Sequence, residues 1–236
     1  MSIAGKSTVI TGAAGNLGTA VVRHFVEAGA TVAAVCHDEA ETGRLSDALG
    51  GAKPALILTC DVTGEGQVQE VMRQVAEQLG GPQILLNLVG GYDAGVSVAE
   101  MDLSRWDHML NMNLKSVFLC CKHALTYMIP ADYGRIVNIS SKVAQNLPAR
   151  AAAYAVAKAG VASLTRCLAQ ELKGTGVSVT AVMPSVIDTP ATRAARPNAD
   201  FTRWVKPEQL AETLEMLSSE AARHLNGTVA PVFGGV

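Results

Sequence analysis

Residues Ser7 to Gly18 read STVITGAAGNLG. Ser7–Thr11 is a short β-branched run, as a strand prefers, and Gly12, Gly15 and Gly18 follow at three-residue spacing. Thr19 to Ala28 then reads as a helix that ends at Gly29. A strand, a glycine turn and a helix in that order form the first unit of a dinucleotide-binding sheet. The glycines let the turn close and let a pyrophosphate approach the backbone N–H groups at the positive end of the helix. Asn16 and Leu17 stand between the last two glycines. Asn16 tolerates left-handed backbone, so the turn is expected to form with glycine displaced to Gly15.

The same alternation continues along the chain. Further strands are predicted at Thr31–Cys36, Ala55–Thr59, Ile84–Leu88, Arg135–Ser140, Ser178–Met183 and near Thr228–Phe233. The helices between them run to about Leu49, from about Glu65 to Leu79, from about Trp106 to Met128, from Ala152, and from Pro207 to Ser218, with a Pro-rich loop from Pro184 to about Trp204. Ile84–Leu88 is apolar throughout, as a parallel strand covered on both faces should be. The expected architecture is a single α/β domain over residues 1–236: a doubly wound parallel sheet of about seven strands, of Rossmann type, with helices on both faces. Its site should lie at the C-terminal ends of the strands.

Composition agrees and excludes several function classes. The chain is 49% hydrophobic but only 4% aromatic and 17% charged, with 22 glycines, which describes a core of Ala, Val and Leu joined by tight turns. A net charge of -2 offers no basic field for nucleic acid or an anionic membrane. No long apolar run suggests a membrane span, and the start MSIAGKSTVITG lacks a signal-peptide pattern, so a soluble cytoplasmic protein is expected. Cys36, Cys60, Cys120, Cys121 and Cys167 show no Cys-x-x-Cys spacing and read as buried apolar thiols. The five histidines are scattered, so no metal site is expected.

The chemistry gathers in Ser141 to Lys158, SKVAQNLPARAAAYAVAK. The fifth strand delivers Ser141 at its C-terminal end. On the Ala-rich helix that follows, Tyr154 and Lys158 are four residues apart and share one face, so phenol and ammonium can act on one small molecule.

Taken together, the glycine turn, Asn87-Leu88-Val89-Gly90, Asn113 in WDHMLNMNLKSVF, and Ser141 with Tyr154 and Lys158 make the whole chain resemble the short-chain dehydrogenase/reductase family. That resemblance implies an NAD(P)-dependent oxidoreductase moving hydride between nicotinamide and a carbonyl or alcohol. Tyr154 would be its general acid or base, Ser141 would hold the substrate oxygen, and Lys158 would support Tyr154 and bond the nicotinamide ribose. A free phenol ionises near pH 10, and moving it about three units takes roughly 4 kcal/mol, which the positive charges beside it must supply. By the same resemblance Asn113 would anchor a water that links Lys158 to solvent. Asp61, with Val62, would meet the adenine, Asn87 and Gly90 would adjoin the cofactor, and Pro184 and Thr189 would border the nicotinamide.

Where the family places an aspartate for the adenosine 2′-hydroxyl, this chain has Cys36 followed by His37. That leans the expectation to NADP(H) over NAD(H), with His37 as a phosphate partner. Ser185 replaces the usual glycine after Pro184. Gly90-Gly91-Tyr92 and IDTPATRAARPNADFTRW resemble dihydropteridine reductases and bacterial relatives of the 3-oxoacyl-carrier-protein reductase kind, so Tyr92 and Trp204 could border a flat substrate ring. Ser141, which those pteridine reductases lack, favours ordinary carbonyl reduction. An extended-type epimerase or dehydratase and a non-catalytic cofactor sensor are the rival classes. The first usually carries a further C-terminal domain, and the second commonly loses the Tyr or Lys. The two long helices, from Trp106 and from Ala152, suggest a homodimer or homotetramer.

Overall fold

In a computed structural model of the protein, which describes residues 2–235, seven strands form one parallel sheet. They are β1 (Ser7–Thr11), β2 (Thr31–Cys36), β3 (Leu56–Thr59), β4 (Ile84–Asn87), β5 (Gly134–Ile139), β6 (Val177–Pro184) and β7 (Val229–Val232). Their spatial order is β3-β2-β1-β4-β5-β6-β7. Strand order therefore reverses between β1 and β4, where a crevice opens at the C-terminal strand ends. Each predicted strand is present with ends shifted by no more than one residue.

Side-chain alternation divides the core into two layers. Val9, Ala33, Val35, Leu85 and Ile136 face helices α3 (Glu65–Leu79), α5 (Ser116–Met128) and α7 (Ala152–Glu171). Their neighbours Ile10, Val32, Ala34, Leu86 and Val137 face α1 (Asn16–Glu27), α2 (Glu39–Ala48) and α9 (Pro207–Ser218). A period of two on strands buried on both sides requires this arrangement. The remaining helices are short: α4 (Leu103–Leu110), α6 (Val143–Asn146) and α8 (Pro190–Ala195).

Three local expectations are corrected. Helix α1 starts at Asn16 rather than Thr19, and the left-handed residue of the turn is Gly12 at φ 66°, so Asn16 is simply the first helical residue. The long helix expected over Trp106–Met128 begins at Leu103 and is interrupted by a π turn at Asn111–Lys115. The cause is Asn113, whose side-chain amide donates to the Met109 carbonyl at 3.1 Å, the acceptor that its own backbone N–H would use in an α-helix. The segment from Pro184 to Trp204, expected as loop, contains α8, which is started by Thr189 with Pro190 at its first position. Four cysteines are buried as expected, whereas Cys167 is exposed on α7.

Candidate active site

The crevice beside β1 is made mostly of backbone. Gly12, Gly15, Cys36, His37, Asp61, Val62 and Gly90 line one cleft of about 550 Å³. A Cβ on Gly18 would lie 2.0 Å from the Gly12 carbonyl oxygen, so only glycine lets α1 start against the turn. Gly15 caps α1 without a side chain, and the first turn, which carries Leu17, holds no acidic residue. The leading N–H groups are thus left for an anion. This glycine cradle fits a dinucleotide pyrophosphate.

The rim of the same cleft carries a group that the strand-end reading missed. Glu41, on α2, accepts a hydrogen bond from the His37 backbone N–H at 2.8 Å and lines the cleft. Asp38 caps the same helix by accepting from the Glu41 N–H at 2.8 Å. The pattern Asp38-x-x-Glu41 is a legible helix-start signature, and it is the signal that could have located this carboxylate. Arg44 pairs with the outer oxygen of Glu41 at 3.4 Å. Asp61 caps no helix. Its Oδ1 accepts from the Thr63 N–H at 2.9 Å and the Thr63 hydroxyl at 2.7 Å, which holds its carboxyl below the usual range.

At the next strand ends the catalytic candidates converge. Ser141, 7% exposed, follows β5, and the Ser140 hydroxyl donates to the Lys158 carbonyl at 2.8 Å, locking α7 to the strand end. Lys158 is 4% exposed and donates from Nζ to the Ile139 carbonyl at 3.0 Å. Burial pushes its pKa down to about 8. Nζ lies 5.9 Å from the Tyr154 ring centre. Burial raises the Tyr154 phenol above its usual value, the hydrogen-bonded Ser141 hydroxyl pulls it down, and Tyr92 adds to the rise. A Cβ on Gly90 would meet Asn113 Oδ1 at 2.8 Å and Lys158 Nζ at 3.0 Å, so glycine is what allows β4, the π turn and α7 to meet.

Both ends of the buried Asn113 amide are engaged by protein: Oδ1 accepts from the Gly91 N–H at 3.1 Å, and Nδ2 donates to the Gly91 carbonyl at 3.1 Å as well as to Met109. Asn87 ties β4 to β5 by donating to Asn138 Oδ1 at 2.8 Å. Pro184 accepts the Lys142 N–H at 2.9 Å. Ser185, where the family has glycine, needs no left-handed backbone and bonds β7 through Val232 and Phe233. Thr189 accepts from the Thr192 N–H at 3.2 Å as the α8 cap. Tyr92 contacts Tyr154 edge-on, with ring centres 5.1 Å apart and planes at 81°. Trp204 is not brought to Tyr92: it is buried against Phe201, with ring centres 4.8 Å apart. Among the described residues no group of three His, Cys, Asp or Glu could hold a metal, and no helix is long and apolar enough to cross a membrane.

The short chain dehydrogenase family model matches residues 6–200. Cis-4-hydroxycyclohexanecarboxylate dehydrogenase of Sinomonas cyclohexanicum is 36% identical over 99% of this chain and 97% of its own length. A 3-oxoacyl-(acyl-carrier-protein) reductase of Thermotoga maritima is 33% identical over 100% and 99%. Among solved structures, gox2181 superposes with a TM-score of 0.91 at 30% identity, covering 99% of this chain and 96% of that one. A parallel seven-stranded sheet with a glycine cradle at its switch point, matched over its length by such relatives, belongs to the short-chain dehydrogenase/reductase family of nicotinamide-dependent oxidoreductases.

Proposed function

We propose that Tyr154 is the acid in carbonyl reduction and the base in alcohol oxidation, with Ser141 and Lys158 as its partners. The observation that carries this is the convergence of Ser141, Tyr154 and Lys158 beside Gly90, at the end of the cleft that fits the dinucleotide. The bound nicotinamide supplies hydride to the carbonyl carbon, or takes it in reverse. Ser141 holds the substrate oxygen by hydrogen bond, and Tyr154 gives that oxygen its proton as charge develops there. Burial raises the phenol, opposite to the lowering expected from the positive charge beside it, so Tyr154 is protonated at neutral pH, the form that reduction needs. The Lys158 ammonium offsets the negative charge left on the Tyr154 oxygen, and with Ile139 as its one hydrogen-bond acceptor among the described residues it has donors to spare for a ribose. Asn113 acts by fixing Gly91 beside the reacting groups.

For the cofactor, the sequence leaned to NADP(H), and the surroundings of Cys36 argue the other way. Glu41 brings a carboxylate from α2 to the end of β2, and among the described residues no Lys or Arg lines the cleft, Arg44 being paired with Glu41 at 3.4 Å. A ribose 2′-hydroxyl can donate to that carboxylate, whereas a 2′-phosphate would be repelled by it. NAD(H) is therefore the proposed cofactor, bound by Gly12, Gly15, Asn16, Leu17, Asp61, Val62 and Gly90 and bordered by Pro184 and Thr189.

The proposed substrate is a compact cyclic ketone or alcohol. Tyr92 presents a ring at Tyr154, and Arg105 beside it is engaged by both Asp93 carboxylate oxygens, which leaves it poorly suited to a phosphate-bearing carrier. A relative named for a hydroxycyclohexane acid accords with this. Titration with NADH and NADPH, followed by a carbonyl panel read by nicotinamide absorbance, tests both points. Tighter NADH binding and turnover of substituted cyclohexanones are expected, and preference for NADPH or for 3-oxoacyl thioesters would overturn them.

Exposed Leu103, Phe118 and Val156 on α4, α5 and α7 support a homodimer or homotetramer through these helices. Light scattering at micromolar concentration checks this, and a monomer refutes it. A cytoplasmic setting agrees with free cysteines throughout.

A further inference from the structure

Tyr92 is half-exposed yet held from both sides. Before it, Gly91 is gripped through its N–H and its carbonyl by the Asn113 side chain. After it, both Asp93 carboxylate oxygens are taken by the Arg105 guanidinium, which also donates to the Ala94 carbonyl at 3.2 Å. Three consecutive residues are thus fixed by two helical anchors, the π turn and α4, that sit on one continuous stretch of chain. A surface tyrosine with no role would need no such support, because an exposed aromatic gains little from being held still. What the clamps define is the near-perpendicular contact between its ring and that of Tyr154, with centres 5.1 Å apart and planes at 81°.

We propose that Tyr92 is a positioning residue for the Tyr154 phenol, held by the Asn113–Gly91 and Arg105–Asp93 clamps so that its ring shields Tyr154 from water and sets the pH range over which the site works. The proposal rests on Tyr154 being the acid/base. The groups that face Tyr154 are Ser141 from the end of β5, Lys158 from α7 and Tyr92 from the loop after β4. At the base of Tyr92 the charges are the Arg105–Asp93 pair, with His108 of α4 on the Asp93 side. Shielding opposes ionisation of Tyr154, in the same direction as the rise that burial gives it. Tyr92 therefore favours the protonated form needed for reduction and delays the ionised form needed for oxidation.

The test compares pH profiles of kcat for alcohol oxidation in the NAD-loaded enzyme and in its Tyr92→Ala, Tyr92→Phe and Arg105→Met variants, each first shown to retain its unfolding temperature and cofactor affinity. Opening Tyr154 to water should move the rising alkaline limb to lower pH in Tyr92→Ala by about half to one unit, a typical size for partial relief of desolvation. Tyr92→Phe, which keeps the ring edge, should shift it by less than half as much. Arg105→Met, which frees Asp93 without touching Tyr154, should shift it in the same direction as Tyr92→Ala by a smaller amount. A raised KM with an unmoved limb in Tyr92→Ala would overturn the proposal, because Tyr92 would then only contact substrate. Equal shifts in Tyr92→Phe and Tyr92→Ala would also overturn it, since the hydroxyl rather than the ring would be responsible. If instead Tyr154→Phe retained the wild-type profile, the acid/base reading itself would fail, whatever the Tyr92 variants did.

Discussion

The two sides of the crevice are built from different materials. On the β1 side, the cofactor cleft is shaped by glycine backbone, with Gly12 in a left-handed turn and Gly18 packed where no Cβ fits. On the far side, after β4, the Tyr92 segment is held by side chains: the Asn113 amide grips Gly91 and Arg105 pairs with Asp93. A backbone cradle tolerates almost no change because a clash there has nowhere to go. A partly exposed ion pair such as Arg105–Asp93 adds little to stability in high dielectric, so losing it should cost the fold little even where it frees Tyr92. One side is thus set by backbone conformation and the other by contacts between side chains.

The largest expected break in that contrast is Gly18→Ala. A methyl group 2.0 Å from the Gly12 carbonyl must push α1 off the turn, and overpacking of this kind costs about 1–3 kcal/mol. Cofactor affinity, measured by fluorescence titration, should fall about 10- to 100-fold on that account.

Lys158 is the one charged side chain of the buried set that the cofactor and substrate sides share, and its burial carries a stability cost. Its pKa is about 8 in the folded chain against about 10.5 unfolded, so below pH 8 the folded state holds an ammonium that would sooner be in water. The destabilisation is on the order of 3 kcal/mol at neutral pH and is relieved as pH rises from about 8 to 10.5, because there the unfolded chain binds the additional proton. Lys158→Met should therefore raise the unfolding temperature at pH 7 by several degrees, with the gain shrinking toward pH 10, while activity is lost. Calorimetry at the two pH values decides it, and a lowered unfolding temperature at pH 7 contradicts the cost assigned to the buried ammonium.

Glu41→Arg sharpens the comparison from the cofactor side. Replacing the carboxylate at the His37 N–H by a guanidinium should move the ratio of kcat/KM for NADPH over NADH upward by about tenfold, roughly 1.4 kcal/mol. An unchanged ratio would remove Glu41 from cofactor selection.

Much of this could be read in the residues. The glycine spacing at Gly12, Gly15 and Gly18 and the period-two strands located the sheet, and the four-residue spacing of Tyr154 and Lys158 put both on one face of α7, because both follow from local spacing along the chain. The π turn could not be read, since nothing in Asn111–Lys115 distinguishes it from α-helix until the Asn113 amide is seen taking the Met109 carbonyl. Arg105 and Asp93 are twelve residues apart with no periodic relation, and their pairing is a product of loop packing. The surroundings of Trp204 were equally illegible: an aromatic in a loop gives no periodic signal of its neighbours, and its burial against Phe201 is seen only in the fold.

The central claim is that Tyr154 moves the proton and does not serve merely to build the site. Tyr154→Phe keeps the ring, the helix and the contact with Tyr92 while removing one hydroxyl. NADH titration by fluorescence alongside turnover of a ketone substrate measures both sides of that claim in one preparation. The expected result is unchanged NADH affinity with turnover lowered by about 100-fold or more, the usual contribution of a positioned acid. Turnover within a few-fold of wild type, with binding intact, would contradict it.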